Sequence, residues 1–189
     1  MRGDKGNMVK SAIIPLTKPE MVKLLEAAMQ DEFWFMFFSV AKKTGRRLGE
    51  YYDVKVKDID FERKIMMTKV LKRRRKVEKE AILDEQLIFL IQNYIRRNNL
   101  KLDDYLFRKV GYRQTQNVIK TYARKAGIEH NVVFHNFRHY LITELFKAGW
   151  SYDRISKLTG HSSVGTLAIY DHTVASDIAG EAREAISNL

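Results

Sequence analysis

The stretch KIMMTKVLKRRRKVEKEAIL, residues 64–83, is the part of the chain in which the helical rhythm of apolar residues breaks. We predict two strands here, over 65–70 and 77–83, joined by a turn that carries the basic run from Lys72 to Lys76. A small antiparallel hairpin or a three-stranded sheet is therefore expected. The fold class that follows is α+β and mainly helical, with this small antiparallel sheet.

Helices are expected on both sides of the hairpin. Thr17 is a favourable cap for the first, since Pro19 lies in its first turn and Glu20 follows three residues after the cap. Apolar residues at helical spacing then predict helices over residues 31–43, 47–53, 84–97, 114–126, 137–148, 152–158 and 176–187. A chain of 189 residues can bury one hydrophobic core. We expect a single domain over 13–189, after a disordered segment at 1–12.

The composition is strongly basic. Lys and Arg number 34 against 23 Asp and Glu, which gives a formal net charge of +11. Phosphates that are neutralised by a protein release condensed counterions, so this charge favours a polyanion as the partner. A basic surface that serves only solubility is the alternative interpretation.

The sequence disfavours several kinds of site and location. It contains no cysteine, which excludes disulfides and thiolate metal sites, and its five histidines lack the H-E-x-x-H spacing of a zinc enzyme. We therefore expect no metal ion and no cofactor. No apolar run approaches the roughly 20 residues that span a bilayer, and residues 1–7 have no signal-peptide core. A cytoplasmic location without membrane contact is expected.

The segment TGRRLGE, residues 44–50, places two arginines directly after a glycine that is expected to end a helix. A guanidinium at the start of the next helix lies beside free backbone N–H groups, which is a favourable place for an anion. Spacing leaves both Arg46 and Arg47 open for this role, although Glu50, three residues after Arg47, favours Arg47. An ordinary surface ion pair between Arg47 and Glu50 is the structural alternative.

The segment FHNFRH, residues 134–139, brings His135 and Arg138 onto one face at a helix start. This pair suits a phosphate, because arginine binds two oxygens and an imidazole can move a proton near neutral pH. A capping histidine beside an ion-paired arginine would explain the same residues without any function.

The segment LTGHSSVGTLAIYDH, residues 158–172, contains two further candidates. Gly160 would allow a turn that points His161 outward. Tyr170 lies nine residues after His161, at the predicted end of the next helix. A tyrosine in such a place is more often explained by packing than by chemistry.

Taken in order along residues 15–175, these segments resemble the tyrosine recombinase family, which includes the phage-type integrases. TGRRLGE is similar to the family signature T-G-L-R-x-S/G-E, FHNFRH to H-x-L-R-H, and the last segment to G-H-S-S…T-x-x-Y-x-H. The resemblance implies the family's catalytic domain. It also implies site-specific DNA recombination or integration, in which strands are cut and rejoined through a 3′-phosphotyrosyl intermediate without metal or ATP.

The resemblance also implies roles for individual residues. Tyr170 would be the nucleophile. Arg47, Arg138 and His161 would clamp the non-bridging oxygens of the scissile phosphate, and His135 would assist proton movement. A lysine of the hairpin would protonate the leaving 5′ oxygen.

The identity of that lysine is open. Counting from the start of the first strand points to Lys72, while Lys69 and Lys76 remain alternatives. The glycine usual in this turn of the family is absent, so a longer hairpin is expected. The remaining cations of the run are expected to bind DNA: Arg73, Arg74, Arg75 and Lys76.

Two other functions stay open at this point. A type IB topoisomerase-like enzyme would nick and reseal a single duplex, and a DNA-binding module of the same fold would do no chemistry. The resemblance implies self-association on double-stranded DNA as a synaptic tetramer, in which the helix at 176–187 would dock on a neighbouring protomer. Packing of this helix on its own protomer is an equal alternative. Family members usually carry a separate N-terminal DNA-binding domain.

Overall fold

The computed structural model of the protein describes residues 14–72 and 75–160, with side chains described outside 70–76. Within these ranges the chain forms seven α-helices, one short 3₁₀ turn at Val56–Asp58, and three strands. The helices are α1 Lys18–Ala28, α2 Glu32–Thr44, α3 Leu48–Tyr51, α4 Glu85–Arg97, α5 Tyr112–Lys125, α6 His135–Lys147 and α7 Tyr152–Thr159. The strands are β1 Ile59–Asp60, β2 Ile65–Lys72 and β3 Arg75–Ile82. The expected mainly helical α+β class is confirmed.

The predicted capping of α1 is confirmed. The Glu20 amide donates to the Thr17 hydroxyl at 3.3 Å, and the Thr17 amide donates to the Glu20 carboxylate at 2.8 Å. This reciprocal pair satisfies two of the backbone donors that a helix start leaves without intrahelical partners. The helix therefore begins where the local sequence predicts it.

Helix α2 lies at the centre of the core. Its N-terminus is capped by Asp31, and it ends at Gly45, which adopts the left-handed conformation with φ 57°. Phe37 is fully buried and contacts the rings of Tyr51, Phe107 and Phe134 at centroid distances of 5.3, 4.8 and 5.2 Å. These aromatic contacts fix α2 in the core, and Arg46 and Arg47 follow directly after its end at Gly45.

The three strands form an antiparallel sheet in the order β1-β2-β3. Pairing between β2 and β3 runs without a break from Ile65↔Ile82 to Lys72↔Arg75. The expected five-residue basic turn is therefore wrong, because the strands extend into the basic run and only residues 73–74 lie between them. Pairing with the partner strand sets these strand ends, and the local sequence does not show that pairing.

The other differences from the expected elements concern helix ends. Helix α6 begins at His135 and α5 at Tyr112, each two residues before the predicted start, and α3 is shorter than expected. Helix starts of this kind are poorly marked when no side chain caps them, which is the case for α5 and α6. The segments predicted at 1–12 and 176–187 lie outside the described residues. Within the described ranges, no helix has the length and apolarity needed to cross a membrane.

Candidate active site

Arg138 joins three parts of the chain at the start of α6. Its side chain is buried, with 1% of the residue exposed, and its Nη1 donates to the carbonyls of Gly45 and Thr159, each at 2.8 Å. The first carbonyl follows α2 and the second ends α7. The guanidinium of the FHNFRH segment is thus held between two backbone segments that are distant in sequence.

Arg47 and Arg46 have opposite environments although they are neighbours. The Arg47 side chain is 48% exposed, and its Nη1 pairs with the Glu50 carboxylate at 3.3 Å. Glu50 also accepts from the Arg47 amide at 3.2 Å, which fixes the start of α3. Arg46 is only 2% exposed and donates to the carbonyls of Glu80 and Thr159. Of the two, Arg47 is the arginine whose side chain is open to solvent.

His135 lies in the electrostatic field of both motif arginines. Burial lowers the pKa of His135, and the positive charges of Arg138 and Arg47 lower it further. Its ring packs edge-to-face against His139 at a centroid distance of 4.8 Å. Burial, followed by His135 and Arg138, lowers the pKa of His139 to about 4. His139 is therefore neutral near pH 7, and the pKa of His135 is lowered in the same direction.

Three cations meet at the end of α7, directly before His161. Arg46 and Arg138 both donate to the Thr159 carbonyl, and the Lys79 ammonium donates to the Gly160 carbonyl at 2.5 Å. Gly160 has φ 72° and stops the helix in the left-handed conformation. Helix ends carry partial negative charge on carbonyls without intrahelical donors, so cations are favourable here.

The structure therefore brings together one part of the expected site. The Arg138 guanidinium bonds the Gly45 carbonyl, two residues before Arg47, and His135 lies three residues before Arg138 on α6. Lys69 lies 3.7 Å from the Asp58 carboxylate. Lys72 occupies the last paired position of β2, opposite Arg75.

The remaining expected site residues lie outside what the structure describes. These are His161 and Tyr170, the turn residues Arg73 and Arg74, and the side chains of Lys72, Arg75 and Lys76.

Sequence reasoning assigned no role to Lys79 or His139, and it left Arg46 undecided. His139 lies inside a quoted motif, one helical turn from His135, and that spacing is a usable signal. Lys79 has no such signal, because its contact with Gly160 joins positions 81 residues apart. In the described ranges, no group of three or more His, Asp or Glu side chains is arranged to hold a metal ion.

Comparison with known proteins places these features in a family. The profile of the phage integrase family matches residues 15–176. The tyrosine recombinase XerA of Pyrococcus furiosus is 30% identical over 171 residues, which cover 85% of this chain and 57% of XerA. A tyrosine recombinase of Pseudothermotoga lettingae is 26% identical over 162 residues, covering 84% of this chain and 56% of that protein.

A solved structure gives the same result for the fold. The crystal structure of a XerA recombinase superimposes with a TM-score of 0.79 at 26% identity, covering 90% of this chain and 65% of that one. The chain spans about half the length of the curated relatives it matches. The matched profile covers most of the chain, including all the motifs described above, and the chain therefore belongs to the phage integrase family of tyrosine recombinases.

Proposed function

We propose that this chain catalyses site-specific DNA recombination or integration, and that Tyr170 attacks the scissile phosphate to form a 3′-phosphotyrosyl intermediate. The observation that carries the proposal is the cluster around the Arg138 guanidinium, which bonds the Gly45 carbonyl two residues before Arg47 and the Thr159 carbonyl two residues before His161. His135 lies three residues before Arg138 on α6. The relatives named above as tyrosine recombinases support the same chemistry.

The proposed chemistry must overcome two difficulties, the negative charge of the phosphate and the protonated state of the tyrosine. A phosphodiester repels nucleophiles by its own charge, and a tyrosine with a pKa of about 10 is mostly protonated at pH 7. Arg47, Arg138 and His161 would spread the charge of the transition state, with fixed donors each contributing about 3–4 kcal/mol in enzymes where this has been measured. The exposure of Arg47, against the burial of Arg46, supports Arg47 as the arginine of the first motif.

The lowered pKa of His135 suits it to accept a proton. A neutral imidazole can take the phenol proton as Tyr170 attacks, whereas an imidazolium cannot. The leaving 5′ oxygen then needs a proton from an acid. Lys72 is proposed for this step, since Lys69 lies 3.7 Å from the Asp58 carboxylate and can pair with it. The phosphotyrosyl bond conserves the energy of the broken bond, so rejoining to a new 5′ hydroxyl needs no ATP.

Double-stranded DNA is proposed as the partner. Helix α5 supports this, because its sequence contains no acidic residue and exposes four cations, Arg113, Lys120, Arg124 and Lys125. The basic run at the β2–β3 turn adds Arg73, Arg74, Arg75 and Lys76. Phosphate contacts of this kind make the affinity fall steeply with salt. Synapsis of four protomers on DNA remains a part of the proposal that rests on the family.

Covalent capture tests the proposal without knowledge of the target sequence. Duplexes that carry one 5′-bridging phosphorothiolate between randomised flanks are incubated with the protein, and DNA that stays bound in SDS is sequenced. The parent chain should enrich a sequence and form an adduct, and Tyr170→Phe should form none while it binds the enriched duplex as the parent does. Tyr105→Phe, a change at an exposed tyrosine outside the cluster, is the matched control and should behave as the parent. Adducts with Tyr170→Phe would refute the assignment of the nucleophile.

The same duplex separates the candidate acids. A sulfur leaving group needs no proton, so Lys72→Ala should react slowly on the all-oxygen duplex and at the parental rate on the phosphorothiolate. Lys69→Ala and Lys76→Ala should react at the parental rate on both duplexes. Rescue of Lys69→Ala or Lys76→Ala instead of Lys72→Ala would move the acid to that lysine.

A further inference from the structure

Arg46 is a buried cation whose side-chain hydrogen bonds, in the described part of the chain, all lead to backbone carbonyls. Its Nη2 donates to the Glu80 carbonyl of β3, and its Nη1 lies 3.4 Å from the Thr159 carbonyl at the end of α7. Its Nε is buried and has no hydrogen-bond partner. The side chain therefore bridges β3 and α7 without neutralisation by a bonded carboxylate.

Such a residue is costly for stability. Removing a guanidinium from water is unfavourable, and even a buried ion pair is often replaced by apolar side chains of similar volume at no loss of stability. The usual residue at this position of the family signature is indeed apolar, as the resemblance of TGRRLGE to T-G-L-R-x-S/G-E indicates. The hydrogen bonds that Arg46 makes to β3 and α7 are ones that an apolar residue at this position could not make.

Those contacts hold the turn from which His161 begins. Arg46 reaches the Thr159 carbonyl, and its Nη1 would lie 2.8 Å from a Cβ built on Gly160. Lys79 approaches from β3 and donates to the Gly160 carbonyl at 2.5 Å. The sheet and the end of α7 are thus joined by two cations on the residues immediately before His161.

We propose that Arg46 is a positioning residue, which acts with Lys79 to fix the last turn of α7 against β3 and thereby sets the position of His161 for catalysis. The catalytic part of this inference rests on the proposed function. The structural part does not rest on it: the hydrogen bonds of Arg46 and Lys79 to the carbonyls of Thr159 and Gly160, here called the carbonyl clamp, concern only the order of this turn.

The clamp is measured by amide hydrogen exchange in the intact chain. The Gly160 amide donates to the Ser156 carbonyl at 2.8 Å and reports the last turn of α7. Arg46→Met keeps the length of the side chain and removes its donors, and it should speed exchange of this amide by about tenfold, the effect of losing one or two hydrogen bonds. Amides of α1 should be unchanged. Arg97→Met is the matched control, because Arg97 pairs with Glu32 at the exposed surface.

The catalytic consequence is measured by a double-mutant cycle on the enriched duplex. Arg46→Met should lower the rate of adduct formation by about tenfold and leave the Kd for the duplex within about twofold of the parent. In the His161→Ala background the same change should cost less than about twofold, because the position of an absent imidazole no longer matters. A residue with a merely structural role would cost the same factor in both backgrounds.

The outcomes are distinct. Parental exchange at Gly160 in Arg46→Met overturns the clamp, and equal rate losses with and without His161 overturn the positioning role. If Arg46→Met does not fold, Arg46→Lys and Lys79→Met test the same contacts and should each speed exchange at Gly160. If the parent forms no adduct dependent on Tyr170, the proposed function fails, whereas the exchange result still decides the clamp.

Discussion

A methyl group at position 160 would enter the space that Lys79 and Arg46 occupy at the end of α7. A Cβ built on Gly160 would lie 2.5 Å from the Lys79 Nζ, 2.8 Å from the Arg46 Nη1 and 3.0 Å from the Lys79 Cδ. Gly160 also has φ 72°, a conformation that side chains rarely adopt. Gly160→Ala should therefore destabilise the protein through both the backbone and the contacts.

The two contributions can be separated. The left-handed conformation costs a non-glycine residue about 1–2 kcal/mol. Displacement of Lys79 and Arg46 from the carbonyls of Gly160 and Thr159 costs about 1 kcal/mol for each hydrogen bond lost, so the total is about 3–4 kcal/mol. For a chain of this size, each kcal/mol shifts the melting temperature by about 2–4 °C, which predicts a fall of about 10 °C.

Gly127→Ala is the matched control. Gly127 has φ 70°, and a Cβ built on it meets no atom within 4 Å. This variant should show the backbone cost alone, with a fall of about 5 °C. Thermal unfolding followed by circular dichroism measures both values. Equal falls in melting temperature for Gly160→Ala and Gly127→Ala would refute the close approach of Lys79 and Arg46 to position 160. The same conclusion would follow if the larger fall for Gly160→Ala persisted unchanged in a chain that also carries Arg46→Met and Lys79→Met.

Three further predictions concern stability and are measured by urea unfolding. Because the pKa of His139 falls from 6.5 to about 4 on folding, the unfolded chain binds more protons between these pH values. The free energy of unfolding should therefore fall by up to about 3 kcal/mol as the pH drops from 7 to 4. His139→Gln should lose measurably less over this range, and a pH profile identical to that of the parent would contradict the shift. Thr17→Ala should lower the free energy of unfolding by about 1 kcal/mol, because it removes the cap of α1. Thr121→Ala, at an exposed site within α5, should lower it far less. Phe37→Ala should lower the free energy of unfolding by about 3–5 kcal/mol. A loss no larger than that of Phe89→Ala, at a residue that is 64% exposed, would show that the α2 core is not packed as described.

Local sequence by itself determined the helices and their best-marked ends. Thr17 with Glu20 predicts the start of α1, and Gly45 predicts the end of α2, because capping depends on residues within one turn of the chain. The spacing of His135 and Arg138 likewise predicts that they share a face at the start of α6. The order of the motifs was enough to indicate the family, since signatures are local patterns. The strand ends beside the turn were not predicted, because pairing of Lys72 with Arg75 depends on the partner strand.

Only the tertiary structure distinguishes the surroundings of Arg46 from those of Arg47. The two residues are identical and adjacent, so no local pattern distinguishes a buried guanidinium from an exposed one. The choice depends on groups far along the chain: Arg46 bonds Glu80, 34 positions away, and Thr159, 113 positions away. Burial and long-range hydrogen bonds arise only when β3 and α7 come together, which is why the carbonyl clamp before His161 could not be read from the sequence.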